Sequence, residues 1–302
     1  MLFPGGGMTS TGAMETETRV LGEADRPALE RYLKNEPCGM ALRGYILKDG
    51  VTPKYGVYAG ALEGGEVVSL TAFLGTTFHL AAPSSLEKLL SAMTAAKGGV
   101  LHQINGPTSQ VTRTLAWMDA PDVRTVVNSR DQLFVLKLAD LQVPSSLGQD
   151  GLSWRLATTA DQEMQSNWRH DFWVENLGAP PGPRLHENCA RLVEGEIAEK
   201  LLYILEIAGR PVCTAAFGPA LPDAVQVVNV FTPPAERGRA YAKALTAAAL
   251  LDARSRGVEL GVLYTGMENA PAQRTYRSLG FQPVNEVTML VFAEPRPSTP
   301  GA

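Results

Sequence analysis

Residues 227–245 read VVNVFTPPAERGRAYAKAL, and this stretch decides how the second half of the chain is expected to fold. The near-continuous apolar run Ala224–Phe231 is typical of a strand buried inside a sheet. Pro233 and Pro234 then end the strand, and a long alanine-rich helix is predicted over 239–256. The first N–H groups of a helix have no partner within it, and its dipole makes that end positive. The turn therefore predicts a site for an anion such as a pyrophosphate.

Two cations flank the glycine of this turn. Arg237 and Arg239 stand on either side of Gly238, where guanidinium groups could bind phosphate oxygens. Ordinary strand–turn–helix connections with solvated arginines show the same spacing, so spacing alone leaves both interpretations open.

Strands and helices alternate on both sides of this turn within the second half. A capping box at Thr159-x-x-Gln162 predicts the start of a helix whose residues Met164, Trp168 and Phe172 share one face. The remaining predicted elements are a hairpin of 201–208 and 212–217, a strand over 258–264, a helix over 269–279 and closing strands over 281–292.

The first half has a similar order of elements. A helix capped by Asp25 comes first, with Pro27 in its first turn. The remaining predicted elements are strands within 54–78 with a turn at 63–66, a helix over 84–97, a short strand VLHQI, a helix over 108–118 and a strand over 132–138. Residues 139–152 have the Pro, Ser and Gly content of a linker.

Two correspondences suggest that the halves are copies of one α/β unit. Asn105-Gly-Pro107 and Asn269-Ala-Pro271 are separated by a constant offset of 164 residues, which also relates the Arg and Leu that follow. Asp25 and Asp161 stand at the start of the first helix of each half. We predict an α/β (α+β) protein of two tandem domains, each a mixed, largely antiparallel sheet with helices; two unrelated α/β domains remain the alternative. The expected limits are a tail at 1–18, domains at 19–145 and 146–294, and a tail at 295–302.

Composition limits the classes of function. The chain has 302 residues, or roughly two domains at about 150 residues each, with 45% hydrophobic and 19% charged residues. The net charge of −4 disfavours nucleic acid as a partner. No apolar stretch approaches a membrane span, and three widely spaced cysteines indicate reduced thiols. We expect a cytoplasmic protein without a membrane or metal site, as a monomer or homodimer.

The second half resembles the Gcn5-related N-acetyltransferase (GNAT) family. The resemblance rests on VFTPPAERGRAYAKAL at 230–245 and LYTGMENAPAQRTYRSLGF at 263–281. It is closest to a branch of predicted acetyltransferases with a TPP-x-x-RGRGYA signature. The resemblance implies acetyl-CoA as the cosubstrate and a small amine or a protein or peptide amine as the acceptor.

The resemblance also implies which residues bind the cofactor. They belong to the central strand, the phosphate loop and the following helix: Asn229, Val230, Phe231, Thr232, Arg237, Gly238, Arg239, Ala240, Tyr241, Ala242, Asn269 and Tyr276. Tyr276 is also the candidate catalytic acid that protonates the leaving thiolate, with a half-buried core aromatic as its alternative role. Glu175, Glu206 and Glu268 are open candidates for the base.

The sequence departs from the family pattern in two places. Ala240 stands where the middle glycine of the phosphate loop is expected, and Thr265-Gly266 lacks the Asp that often follows the Thr in this branch. The segment HLAAP before Ser84 has no Arg-Gly turn, so the first half resembles a degenerate copy without a cofactor site.

Three functions follow from these patterns. The first is an acetyl-CoA-dependent N-acetyltransferase whose acceptor amine attacks the thioester directly. The second is a non-catalytic acyl-CoA-binding or regulatory protein, suggested by Ala240 and the unassigned base. The third is a tandem transferase that uses aminoacyl-tRNA, which the negative net charge disfavours.

Overall fold

A computed structural model describes residues 16–52, 54 and 56–300. In the first half, two helices follow a short strand, and two more helices follow the central strands. The elements are β1 (Glu17–Leu21), α1 (Arg26–Lys34), α2 (Met40–Asp49), β2 (Gly56–Glu63), β3 (Glu66–Leu74), β4 (Thr77–Ala81), α3 (Leu86–Ala96), β5 (Val100–Pro107), α4 (Thr108–Trp117) and β6 (Thr125–Lys137).

The second half repeats this order element by element. Its elements are β7 (Leu152–Leu156), α5 (Gln162–Leu177), α6 (Pro183–Ala198), β8 (Leu202–Ile207), β9 (Arg210–Ala220), β10 (Ala224–Phe231), α7 (Tyr241–Ser255), β11 (Leu260–Gly266), α8 (Ala270–Ser278) and β12 (Gln282–Pro297). The mixed α/β class expected from the sequence is confirmed.

The strands form one continuous sheet rather than two separate ones. Its order is β1-β2-β3-β4-β5-β12-β6-β11-β10-β9-β8-β7, so each half gives its last strand to the other half. Thus β12 pairs with β5, and β6 pairs with β11, both antiparallel. The order reads the same from either end when β1–β6 are matched with β7–β12, as expected for two copies related by a twofold axis.

Part of each expected tail belongs to the sheet. Glu17 and Thr18 pair with Leu62 and Ala61 of β2, while residues 1–15 lie outside the described part. At the other end, 295–297 belong to β12, and Arg296 and Pro297 pair with β5. Two hydrogen bonds between Gly99 and Ser298, at 2.9 and 3.0 Å, fasten this end to the sheet.

An ion pair at the start of each half supports the duplication. Arg19 donates two hydrogen bonds to the carboxylate of Asp25, of 2.8 and 2.7 Å. Arg155 donates two hydrogen bonds to the carboxylate of Asp161, of 2.7 and 2.8 Å. The second carboxylate also accepts from the backbone N–H of Thr158 at 2.8 Å. The capping box therefore lies at Thr158 and Asp161, one residue before the expected pair, because the carboxylate of Asp161 is the side chain that reaches back.

We expect Asp161→Asn to lower the free energy of unfolding at pH 7 by about 1.5–3 kcal/mol, the usual range for hydrogen bonds to a charged group. These bonds lower the pKa of Asp161 to about 2. Because the pKa is lower in the folded state, the ionised carboxylate stabilises the fold at pH values above about 3.9, the ordinary pKa of an aspartate. This stabilisation is lost as the pH falls through about 2.

Denaturant unfolding at pH 7 and at pH 2 checks this prediction. The difference in free energy of unfolding between wild type and Asp161→Asn should be smaller at pH 2 than at pH 7. The exposed control Asp150→Asn should have the same free energy of unfolding as wild type at both pH values. An equal difference in free energy of unfolding at pH 7 and at pH 2 would contradict the ion-pair explanation.

Helices cover both faces of the sheet. The largest core cluster joins residues of α7, such as Ala244 and Leu250, to Leu263 of β11 and Phe281. A smaller cluster on the other face joins Met40 of α2 to Val262 of β11. No helix among the described residues is long and apolar enough to cross a membrane.

Candidate functional site

A bulge interrupts β10 near its end. Val228 pairs with Ala216 and Phe231 with Thr214, so β10 has one residue more than β9 across this interval. Asn229 takes a φ of +52°, a left-handed conformation that asparagine tolerates better than most residues. The parallel pairing of β10 with β11 reaches only Val227 and Leu263. Beyond that level the two strands separate and leave backbone groups of 229–231 facing the gap.

A buried arginine on α5 supports the bulge. Arg169 is 5% exposed and binds Glu196 of α6 at 2.5 Å. When the amide of Asn229 is oriented with its oxygen toward the guanidinium, Oδ1 accepts from Nη1 and Nη2 of Arg169 at 3.2 and 3.3 Å. Sequence reasoning missed Arg169, because nothing in α5 indicates that this position faces the bulge.

The turn after β10 presents a row of free N–H groups. Within the described chain, no backbone or side-chain acceptor receives a hydrogen bond from the N–H groups of 238–243. The first bond at the start of α7 runs from the N–H of Ala244 to the carbonyl of Ala240, at 3.1 Å. Free N–H groups at a positive helix end form an anion site.

Two residues of the turn have left-handed backbone conformations. Gly238 has a φ of +79° and Ala240 a φ of +59°. Glycine accepts this conformation freely, whereas alanine pays a steric cost because its Cβ approaches the carbonyl. The departure from the family pattern at Ala240 therefore falls at a position where glycine is the natural residue.

Ion pairs position the arginines of the turn. Arg237 donates from Nε to the carbonyl of Thr232 at 2.9 Å and from Nη2 to Glu175 at 2.6 Å. Arg239 binds Glu236 at 3.0 Å, and Arg210 binds the same glutamate at 2.5 Å. The guanidinium of Arg237 also lies 5.8 Å from the centre of the Phe231 ring. The side chains of Arg237 and Arg239 are 43% and 54% exposed, so both can bind a ligand as well.

Tyr276 of α8 lies between the core and the turn. Its ring centre is 6.4 Å from that of Phe134 and 6.0 Å from that of Phe281, and the residue is 8% exposed. Burial raises the pKa of its phenol well above the usual value of 10. The hydroxyl is protonated at neutral pH, as that of an unburied tyrosine also is.

These residues line one cleft of about 510 Å³. Eleven of the twelve residues expected to bind the cofactor line it, and Asn229 is the one that does not, since its side chain faces Arg169. Asn269 caps α8 by accepting from the N–H of Ala272 at 3.2 Å. Lys243 also lines the cleft and was not predicted.

The three candidate bases occupy different places. Glu175 lines the cleft, but its carboxylate binds Arg237. Glu206 binds Arg155 at 2.8 Å, within the ion-pair network at the start of α5. Glu268 is exposed in the loop before α8 and does not line the cleft. The geometry therefore singles out none of them as the base.

In the corresponding turn of the first half, two N–H groups already have acceptors. The N–H of Ala82 donates to Gln110 at 2.8 Å, and that of Ser84 donates to Ser69 at 3.0 Å. Glu87 occupies the first turn of α3, where α7 has Ala242. The carboxylate of Glu87 therefore places a negative charge at the start of α3, at the position where the start of α7 could bind an anion.

The strands of the first half also lie close together beside that turn. A Cβ added at Gly106 of β5 would lie 2.6 Å from the Cβ of Leu80 in β4. The close contact between Leu80 and Gly106 therefore leaves no gap between β4 and β5 like the one between β10 and β11.

Comparison with protein families gives one match. Residues 163–281 match the family described as acetyltransferase (GNAT), a range that includes α5 through α8 and the whole cleft. A comparison with the curated proteins gives no match.

Solved structures share the whole architecture. A GCN5-related N-acetyltransferase from Sphaerobacter thermophilus has 15% identity and a TM-score of 0.53, covering 95% of this chain and 97% of its own. A GNAT-family acetyltransferase from Colwellia psychrerythraea has 13% identity and a TM-score of 0.52, covering 92% and 99%. A tandem GNAT protein from the clavulanic acid biosynthesis pathway has 14% identity and a TM-score of 0.50, covering 95% and 100%.

At these identities the likeness shows the fold alone, and the family match stands on the second half. Residues 163–281, fewer than half of the chain, are therefore similar to the acetyltransferase (GNAT) family.

Proposed function

We propose that the protein is an acetyl-CoA-dependent N-acetyltransferase with its active site in the cleft of the second half. The observation that carries this proposal is the row of free N–H groups at 238–243, flanked by Arg237 and Arg239 beside the gap between β10 and β11. A pyrophosphate needs several donors and positive charge, and this turn supplies both.

The residues fit the parts of acetyl-CoA. The N–H groups of the turn, with Arg237, Arg239 and Lys243, would hold the pyrophosphate. The separated end of β10 would receive the pantetheine arm, because backbone groups of 229–231 have no partner on β11. When bound, acetyl-CoA supplies an activated acetyl group as a thioester.

The chain contributes two further functions to the reaction. Backbone N–H groups at the bulge stabilise the negative charge that develops on the carbonyl oxygen, and Arg169 and Asn229 hold the bulge in shape. Tyr276 donates a proton to the departing sulfur. Tyr276 lines the cleft, and its packing against Phe134 and Phe281 fixes the ring there.

We further propose that the first half is a structural copy without a cofactor site. Gln110 and Ser69 accept the N–H groups of Ala82 and Ser84, Glu87 occupies the first turn of α3, and Leu80 abuts Gly106. The first half still contributes β6 to the catalytic side of the sheet.

Two measurements test the proposal. Calorimetric titration with acetyl-CoA should give one site per chain, and a panel of amines should release free CoA with at least one acceptor. Binding without CoA release for any amine would favour a non-catalytic acyl-CoA-binding protein. Two sites per chain would contradict the assignment to the second half.

Ala240→Gly should increase the free energy of unfolding by about 0.5–1 kcal/mol, because it removes the left-handed strain at a φ of +59°. Acetyl-CoA should bind at least as tightly, since glycine brings the backbone closer to the phosphates. Thermal unfolding and calorimetric titration measure the two effects.

Ser85 provides a matched control, because it precedes α3 with a φ of +57°. Ser85→Gly should stabilise the chain similarly and leave acetyl-CoA binding unchanged. Weaker binding by Ala240→Gly at unchanged stability would show that the methyl group contributes to the site.

A further inference from the structure

A second cavity, of about 290 Å³, lies where the two halves meet. Both halves supply its walls, mainly from the central strands. Its polar lining residues include His79 on β4, Asn105 on β5, Asp131 on β6, Gln226 on β10, Tyr264 on β11 and Thr288 on β12.

This cavity and the cleft lie on opposite faces of the sheet. Along β11, Leu263 packs in the cluster beneath α7, whereas Tyr264 packs in the cluster of Met40. Consecutive residues of a strand point to opposite faces, so Tyr264 and the cavity lie on the α2 face. Strand β10 contributes to both sites, with Gln226 in the cavity and Val230 and Phe231 in the cleft.

Asp131 is the unusual group in the cavity. Its carboxylate accepts one hydrogen bond, from the hydroxyl of Ser129 at 3.2 Å, and no cation within the described chain is ion-paired with it. Burial raises its pKa above the usual value. A partly buried carboxylate without a cation is costly to keep ionised, and a bound cation would offset that cost.

The other lining residues bring no positive charge. No lysine or arginine is among the described residues that line the cavity. Burial lowers the pKa of His79 to about 4, so its ring is neutral at pH 7. Leu42, Val287 and Met289 provide apolar surface, and Tyr264 adds an aromatic side chain of the kind that attracts cations.

We propose that this cavity binds a compact organic cation with an apolar body, whose ammonium group pairs with Asp131. The volume corresponds to about ten water molecules at roughly 30 Å³ each, which suits a small arylalkylamine. The apolar body would lie against the aliphatic side chains and Tyr264. This binding requires no acetyl-CoA and is independent of the reaction in the cleft.

Phenethylamine and its neutral analogue phenethyl alcohol test the proposal by calorimetric titration of the full chain without acetyl-CoA. Phenethylamine should bind saturably, and the alcohol should bind at least tenfold more weakly. Asp131→Asn, which keeps the side-chain shape, should weaken phenethylamine binding at least tenfold and leave the alcohol unchanged. The exposed control Asp150→Asn should bind both like wild type.

A second variant tests the location. Ala41 lines the cavity from α2, and Ala41→Phe should fill it and abolish binding of both compounds. Thermal unfolding checks that Ala41→Phe is folded. If Ala41→Phe does not fold, the binding data for Asp131→Asn decide the test. Equal binding of amine and alcohol, no saturable binding of phenethylamine at millimolar concentration, or full binding by Asp131→Asn would overturn the proposal.

Discussion

Ala242→Glu is expected to weaken acetyl-CoA binding by a factor of about 100 or more. Ala242 lies in the first turn of α7 and lines the cleft, and the corresponding position of α3 holds Glu87. A carboxylate there faces the phosphates, and juxtaposed like charges cost several kcal/mol, where 1.4 kcal/mol corresponds to about tenfold. Calorimetric titration measures the loss.

The fold should tolerate this change. An acidic residue in the first turn stabilises a helix by about 0.3–1 kcal/mol, so the melting temperature should stay the same or rise. Ala242→Gln separates charge from size and should lose much less affinity. If glutamine and glutamate weakened binding equally, steric obstruction rather than charge would be the cause.

Tyr276→Phe is expected to reduce turnover by roughly 100-fold or more, the usual scale of general acid catalysis. Acetyl-CoA affinity should hardly change, because the proton transfer belongs to the transition state. The loss should shrink as pH rises above the thiol pKa of about 8.5, where the leaving group no longer needs a proton. The raised pKa of Tyr276 keeps the wild-type donor protonated over that range.

Tyr58→Phe is the matched control, because Tyr58 is a buried tyrosine of the first half with 3% exposure. It should leave turnover unchanged. A Tyr276→Phe enzyme with wild-type turnover at pH 7 would remove Tyr276 from the mechanism, and a loss equal at every pH would assign it a structural role.

Local patterns in the sequence predicted the individual elements near the cleft. The apolar run 224–231 coincides with β10, and the prolines and the glycine after it mark the turn before α7. These features depend on residues that are neighbours in the chain, so periodicity and turn chemistry suffice.

The exchange of β6 and β12 could not be predicted in the same way. Pairing β5 with β12 joins strands about 180 residues apart, and periodicity carries no information on which strands pair. For the same reason Asp131, in the first half, gave no sign that it would lie opposite Gly266 of β11. Helix α2 was missed because Gly44 interrupts it, and α6 because it contains Gly195, although Pro183 is a residue that helix starts favour.

A crystal structure with acetyl-CoA tests the central claim most directly. The account predicts one molecule per chain, with its pyrophosphate within hydrogen-bond distance of the N–H groups of 238–243 and its thioester beside Val230 and Phe231 at the β10 bulge. A molecule bound at the start of α3, or one whose phosphates avoid the start of α7, would contradict it.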